Sequence, residues 1–296
     1  MENWMVKNIG KVIEEEGKPV RVLRNDYGYE ITEGQWTNKF RRVTAVLNAV
    51  AKPALMPWAC KMVAEYAWEH REAWSKMDKA GALKALKGSP WEKRDTAGVR
   101  GTHVHNSLDD FHKGKEYHEG LTAEETEMVN NTIRLLQRRN ETTLGSEIIV
   151  YNKTYDYAGT FDLWTHDGLN SSWILDYKTS KGIYPGNALQ LSAYQNAEFA
   201  VLKMKPVRQS TGVEVWEGIQ VPWDSDWAEN LGIIHVTEKE SLLYPIIASD
   251  VYWETFKAAA TIKGFTSDRD SFRGRTPKVQ TYDNPLNNRE TKNHDK

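Results

Sequence analysis

The stretch AGTFDLWTHDGLNSSWILDYKTSKGIYPGNALQLSAYQ, Ala158 to Gln195, sets two aspartates and a lysine among Phe, Leu, Trp and Ile. Asp162 and Asp176 fall in segments that read as half-buried strand, and Lys178 follows the second by two residues. Buried charge is costly unless it is paired or bound to a cation. Residues two apart on a strand share a face, so Asp176 and Lys178 point together while Tyr177 points away. Loop lengths then set a register. With the HDGLNS hairpin symmetric about Leu169, Asp162 faces Asp176; with the KTYD turn centred between Thr154 and Tyr155, Glu147 faces Asp162. Facing Cβ atoms lie ~4.5–5.5 Å apart, so three carboxylates would form a row across the sheet with Lys178 at its edge. A one-residue slip would break the row.

Adjacent carboxylates repel unless one is protonated or a cation sits between them. Oxygen ligands with open positions suit Mg²⁺ or Mn²⁺, and such an ion polarises a phosphodiester. Lys178 would orient or deprotonate the attacking water, or offset charge in the transition state. Asp-x-Lys by itself also occurs on sheets with scattered surface charge. Gln190 and Tyr194, four apart, share a helix face, from which Gln190 could reach a phosphate or a metal-bound water. The alternative for both is the rim of a helix packed through Leu189, Leu191 and Ala193.

The elements that must position these groups follow from periodicity. VRVLRNDYGYEI (20–31) reads as a hairpin, and from Val43 apolar residues recur at helical spacing through VTAVLNAV and ALMPWACKMVAEYAWEHREAW, divided by Pro53 and Pro57. KALKGSPWEKRDTAGVRG reads as a basic connector before a helix through THVHNSLDDFHKG that stops near Gly114. Glu124 to Arg139 form a further helix whose basic end, with Arg134, Arg138 and Arg139, is read as a solvated face. SEIIVYN, AGTFDLWTH and SSWILDYKT form a three-stranded meander, and NALQLSAYQNAEFAVLKM a helix. Strands return in VEVWEGIQVPW and GIIHVTEKESLLYPII, a helix closes through ASDVYWETFKAAATIKGF, and the polar tail from Thr266 reads as disordered.

The 296 residues are 40% hydrophobic and 27% charged with net charge −2, an ordinary globular balance that announces no nucleic-acid binder and excludes none. No apolar run approaches the ~20 residues of a membrane span. The acidic first residues do not fit a secretory signal, so a cytoplasmic protein is expected, in the host cytoplasm if viral. One cysteine, Cys60, excludes a disulfide framework and a four-cysteine metal site and is expected as a core thiol. Most of the 12 tryptophans, Trp58 and Trp68 among them, are expected in the core. His103 and His105 point ~200° apart on a helix and cannot share an ion; His105 is the better ligand, and His103 and His112 read as surface.

The order G-x-x-D, short hairpin, D-x-K, Q-x-x-x-Y resembles the RecB-like branch of the PD-(D/E)XK nucleases, with GTFD, LDYKTS and QLSAY matching in order and spacing. RGTHVHNSLDDF resembles the leading helix of that branch, whose G-T-x-x-H segment supplies a histidine metal ligand, here Gly101, Thr102 and His105. The resemblance covers about 95 residues, Arg100 to Tyr194; more loosely, residues 43–67 are similar to the front of phage-encoded exonucleases. Phe161 replaces the proline before the first aspartate, and the iron–sulfur cysteines of some relatives are absent, so the cluster-free members are the nearer comparison.

The resemblance implies an α/β fold with a restriction-endonuclease-like core, a mixed central β-sheet flanked by helices, over residues 100–265. An N-terminal hairpin and helical extension would occupy 1–99 and a polar tail 266–296. It implies Mg²⁺ or Mn²⁺ held by His105, Asp162 and Asp176, to which the strand register adds Glu147 as a further metal ligand or as an acid behind the ligands, and catalysis by Asp162, Asp176, Lys178, Gln190 and Tyr194. The expected activity is a metal-dependent deoxyribonuclease, an exonuclease on single- or double-stranded DNA with a free end in phage-type replication or recombination. A phage or host recombination protein is a candidate partner. The alternatives are an endonuclease of the same superfamily and a non-catalytic DNA-binding factor on the same fold. Retention of both aspartates and the lysine disfavours the last.

Overall fold

Strand alternation and helix caps together build one mixed sheet with helices against it. The computed structural model describes residues 4–115, 120–169, 171–210, 212–247 and 249–267. The strands are β1 (Lys18–Asn25), β2 (Gly28–Glu33), β3 (Trp36–Arg42), β4 (Thr142–Asn152), β5 (Tyr157–His166), β6 (Ser172–Lys178), β7 (Phe199–Ser210), β8 (Val213–Pro222), β9 (Asn230–Val236) and β10 (Ser241–Ile246). The helices are α1 (Trp4–Glu16), α2 (Val43–Leu47), α3 (Leu55–Glu69), α4 (Arg71–Trp74), α5 (Lys79–His112), α6 (Ala123–Arg138), α7 (Pro185–Gln195) and α8 (Asp250–Ser267).

The sheet order is β10-β9-β6-β5-β3-β2-β1-β8-β7-β4, and β4 pairs back onto β5. Seven strands therefore close a circuit, from which β6, β9 and β10 extend. The β3–β5 and β6–β9 pairs are parallel, the others antiparallel. A buried cluster including Val22, Ile31, Phe40, Tyr151 and Val201 is shared among strands of the circuit. The strands of residues 18–42 are thus built into the same sheet as those of residues 142–246.

Two further clusters fix the helices. Val104 and Leu108 on α5, one turn apart, join Met128 and Ile133 of α6 over Leu163 and Leu175. The α6 start is secured by a capping box between Thr122 and Glu125. On the other side α2, α7 and α8 pack with Trp164, Trp223 and Trp227, whose rings stack or meet edge to face. Among the described residues no helix is long and apolar enough to cross a membrane.

Several expectations change. The basic connector is helix: α5 runs unbroken for 34 residues through Gly88, Pro90 and Gly98. The helix expected over 187–204 ends at Gln195, and Phe199 onward is β7, whose side chains are taken up by β4 and β8. β3 was not foreseen, since its WTNKFRR has no apolar alternation. Pro57 lies inside the first turn of α3 rather than dividing helices. Cys60 is exposed and Trp68 is 82% exposed, because α3, α4 and the first half of α5 pack mainly on one another and offer too little surface to bury them. His112 is half-buried between Thr143 and Tyr177 rather than on the surface. Most of the polar tail lies outside the described residues.

Candidate active site

The register inferred from loop lengths holds. Leu163 pairs with Leu175 at the end of the β5–β6 ladder, and the same register carried one residue further sets Asp162 opposite Asp176. Ser146 pairs with Leu163 and Ile148 with Phe161, so Glu147 stands against Asp162. Glu147 is itself unpaired there because its φ is 51°, the left-handed region that a glutamate adopts only under constraint.

Asp162 is the hub. Its Oδ2 accepts the backbone N–H of Tyr177 at 2.6 Å, and its Oδ1 meets His105 Nδ1 at 3.2 Å. Burial opposes its charge, but His105, Lys178 and the Tyr177 amide outweigh that and hold its pKa below the usual value. Burial likewise opposes the His105 cation, and the Asp162 charge and hydrogen bond win, pushing that pKa up to about 9. Val104 and Leu108 in the core set the rotation of α5 that aims His105 at the acids, while Asp109 accepts Ser146 Oγ at 2.7 Å and ties the helix to β4.

Asp176 is 3% exposed. Lys178 Nζ touches its Oδ2, and Gln190 Nε2 donates to its Oδ1 at 3.3 Å and to Tyr194 Oη at 2.8 Å. Burial and then the Asp162 charge raise the Asp176 pKa, against the pull of Lys178. Lys178 stays cationic: burial works against it, and Asp176 and Asp162 raise its pKa. Gly159 is required by close approach, since a Cβ there would lie 2.5 Å from the Tyr194 ring.

His105, Glu147 and Asp162 place one ligand atom each within 4.8 Å of the others. Asp176 stands outside that group, engaged by Lys178 and Gln190. Burial, then the Asp162 charge, push the Glu147 pKa up to about 7. Carboxylates set this close repel one another, and a cation held between them would relieve that repulsion. One nitrogen and two carboxylate donors with room for further ligands fit a divalent cation of the Mg²⁺ or Mn²⁺ kind.

Residues from the closed circuit complete the cavity, of about 450 Å³. Arg24 on β1 donates from Nε to Glu214 at 2.5 Å, and its Nη1 lies 3.8 Å from Glu147. Arg42 also lines the cavity, its Nη2 donating to the Asn25 carbonyl. These were not singled out from sequence, because only the closed circuit brings the Arg24 side chain from β1 to Thr160 of β5 and Glu147 of β4. His103 turns instead to Glu125, and Arg134 and Arg139 pair with Glu127 and Glu141, away from the acids. Compared with protein-family models and with curated proteins, the chain matches none.

Proposed function

We propose that the chain is a Mg²⁺- or Mn²⁺-dependent deoxyribonuclease with a restriction-endonuclease-like core, degrading linear DNA from an end. The observation that carries this reading is the convergence of His105, Glu147 and Asp162 beside the facing Asp176 and the lysine two residues after it. The resemblance to RecB-like PD-(D/E)XK nucleases supports it independently, as does the order of elements: an antiparallel β4–β5–β6 meander, α7, then β9 parallel to β6.

His105, Glu147 and Asp162 would hold the cation, which supplies Lewis-acid polarisation of a phosphate oxygen and a lowered pKa for the attacking water. Asp162, ionised at neutral pH, keeps one oxygen locked on the Tyr177 amide and presents the other towards His105 and the cavity. Lys178 brings a positive charge to the same strand face, where it offsets charge growing on the phosphoryl oxygens and aligns the water for in-line attack. Gln190 fixes Asp176 and, through it, the place of the Lys178 ammonium. End dependence is supported by the cavity walls. Asp26 and Gly212 from the β1–β2 and β7–β8 turns line the cavity together with His105 of α5 and Gln190 and Tyr194 of α7, so a strand terminus would meet hairpin and helix residues around the acids.

The test is incubation with Mg²⁺ or Mn²⁺ of linear, nicked and covalently closed circular DNA, each strand labelled. Progressive loss of linear DNA with closed circles intact is expected. Closed circles cut as fast as linear molecules would replace end dependence with endonuclease action. No cleavage of any form with either metal would remove the enzymatic reading.

A further inference from the structure

α5 connects the projecting helices to the site without a break. Pro90 lacks the N–H that would meet the Leu86 carbonyl, and Ser89 Oγ donates to that carbonyl at 3.0 Å instead. At ~100° per residue, Lys84, Lys87, Trp91, Arg94, Gly98 and His105 fall on one stripe roughly 80° wide. Every residue from 91 to 99 is exposed, so this part of the stripe is uncovered.

The stripe carries three cations, Lys84, Lys87 and Arg94, and no acid, in a chain of net charge −2; Lys93 and Arg100 of the same helix lie off the stripe and pair with Glu65 and Glu124. Among the described residues neither Lys84 nor Lys87 has a carboxylate in ion-pair range. Arg94 lies 4.8 Å from the centre of the Trp91 ring and pairs with Asp95 at 2.6 Å. That exposed contact between sequence neighbours is worth little against a polyanion. Trp91 is 52% exposed, a flat apolar surface among cations. At Gly98 an added Cβ would meet nothing within 4 Å, so a second backbone can lie against the helix there.

From Lys84 to His105 a helix rises about 30 Å, the length of roughly nine base pairs of duplex. We propose that this face of α5 is a track for the phosphate backbone of DNA, gripping the substrate about nine base pairs from the bond that is cut. The proposal rests on the reading of the site as a DNA-cutting centre and adds where the uncut substrate is held. It makes affinity depend on substrate length while the chemistry does not.

Fluorescence anisotropy in EDTA, on labelled duplexes shorter than, equal to and about twice the nine-pair span, reads the track without cleavage. Wild-type affinity should rise with length up to that span and then level. The double variant K84E/K87E should bind the long duplex about tenfold more weakly and the short one unchanged, with a salt slope lower by about two. K84Q/K87Q should follow in the same direction with a smaller loss, and K239E, an exposed reversal in the β9–β10 turn, should bind as wild type. Unchanged circular dichroism and melting would show that both double variants fold. In cleavage assays the same loss should appear in KM with kcat intact.

Equal length dependence in K84E/K87E and wild type overturns the track, and leaves the nuclease standing if DNA is cut. Length-dependent binding lost in the variant, in a wild-type protein that cuts nothing, keeps the track and removes the nuclease. Wild-type protein that ignores DNA but binds polyglutamate, and releases it on K84E/K87E substitution, overturns the track in favour of an acidic protein partner.

Discussion

Asp162 takes the backbone N–H of Tyr177 on its Oδ2 at 2.6 Å, across the β5–β6 pair. The contact fixes the Asp162 rotamer from the strand that carries Asp176 and Lys178, so the two acids and the lysine move as one unit. Asp162→Asn keeps an oxygen for the Tyr177 N–H but turns an uncharged NH₂ towards His105, where the ion pair needs a carboxylate. Cleavage should fall by at least about 10²–10³-fold. Isothermal titration should show loss of Mn²⁺ binding.

Asp176→Asn separates charge from shape. The Asp176 pKa is raised by burial and by Asp162, so its charge is disfavoured in the folded protein and a neutral isostere should relieve repulsion. Melting without metal should hold or rise, while cleavage is lost. Robust cleavage by this variant would remove Asp176 from the mechanism.

His105 and Lys178 should fail in opposite ways. Lys178→Met should lower kcat by about 10²–10⁴-fold with Mn²⁺ binding retained, since the lysine acts on water or phosphate. His105→Ala should weaken Mn²⁺ binding first and recover part of its activity at high Mn²⁺. Calorimetry and turnover on the same preparations distinguish the two. An unchanged metal titration in His105→Ala would return that residue to a packing role.

Glu147→Gly should trade function for stability. A left-handed φ costs a non-glycine residue about 1 kcal/mol or more, which glycine avoids. Urea unfolding without metal should show a gain of that order, reduced by the lost Arg24 contact, while Mn²⁺ affinity falls. A less stable variant would mean the Arg24 contact outweighs the backbone strain.

His112 sets a pH limit. Burial lowers its pKa to about 4, against the pull of Asp109, from 6.5. The unfolded chain binds this proton first as pH falls, so stability is present above about 6.5 and drains away towards 4. The loss is roughly 2 kcal/mol once screening of a half-buried ring is allowed for. His112→Asn should flatten the difference between unfolding curves at pH 7 and pH 4.5.

The site was legible where neighbours in sequence are neighbours in space. The meander places Glu147, Asp162 and Asp176 in one row because two short hairpins fix its register, and a helical turn count separates His103 from His105. Arg24, Arg42 and Glu214 were invisible because their arrival depends on pairings between distant strands. Local signals also misled. Gly88 and Pro90 look like breakers, yet a serine hydroxyl covers the freed carbonyl. The FAVLKM run has no partner in sequence to say it is a strand, and it becomes one because β4 and β8 flank it. Trp68 and Cys60 belong to apolar periodicity on a helix that packs mainly on α4 and α5 among the described residues.

Closure of the strand circuit imposes an order on biosynthesis. Lys18 pairs with Gln220 and Asn25 with Val213, so β1 must wait while roughly two hundred further residues leave the ribosome. Until then the β1–β2–β3 segment carries an unsatisfied edge and apolar side chains whose native neighbours do not yet exist. Such a nascent chain should fold late and slowly, and should lean on a holdase during that interval. Moving the chain ends by circular permutation, so that β8 is made beside β1, should shorten the wait without altering the finished protein.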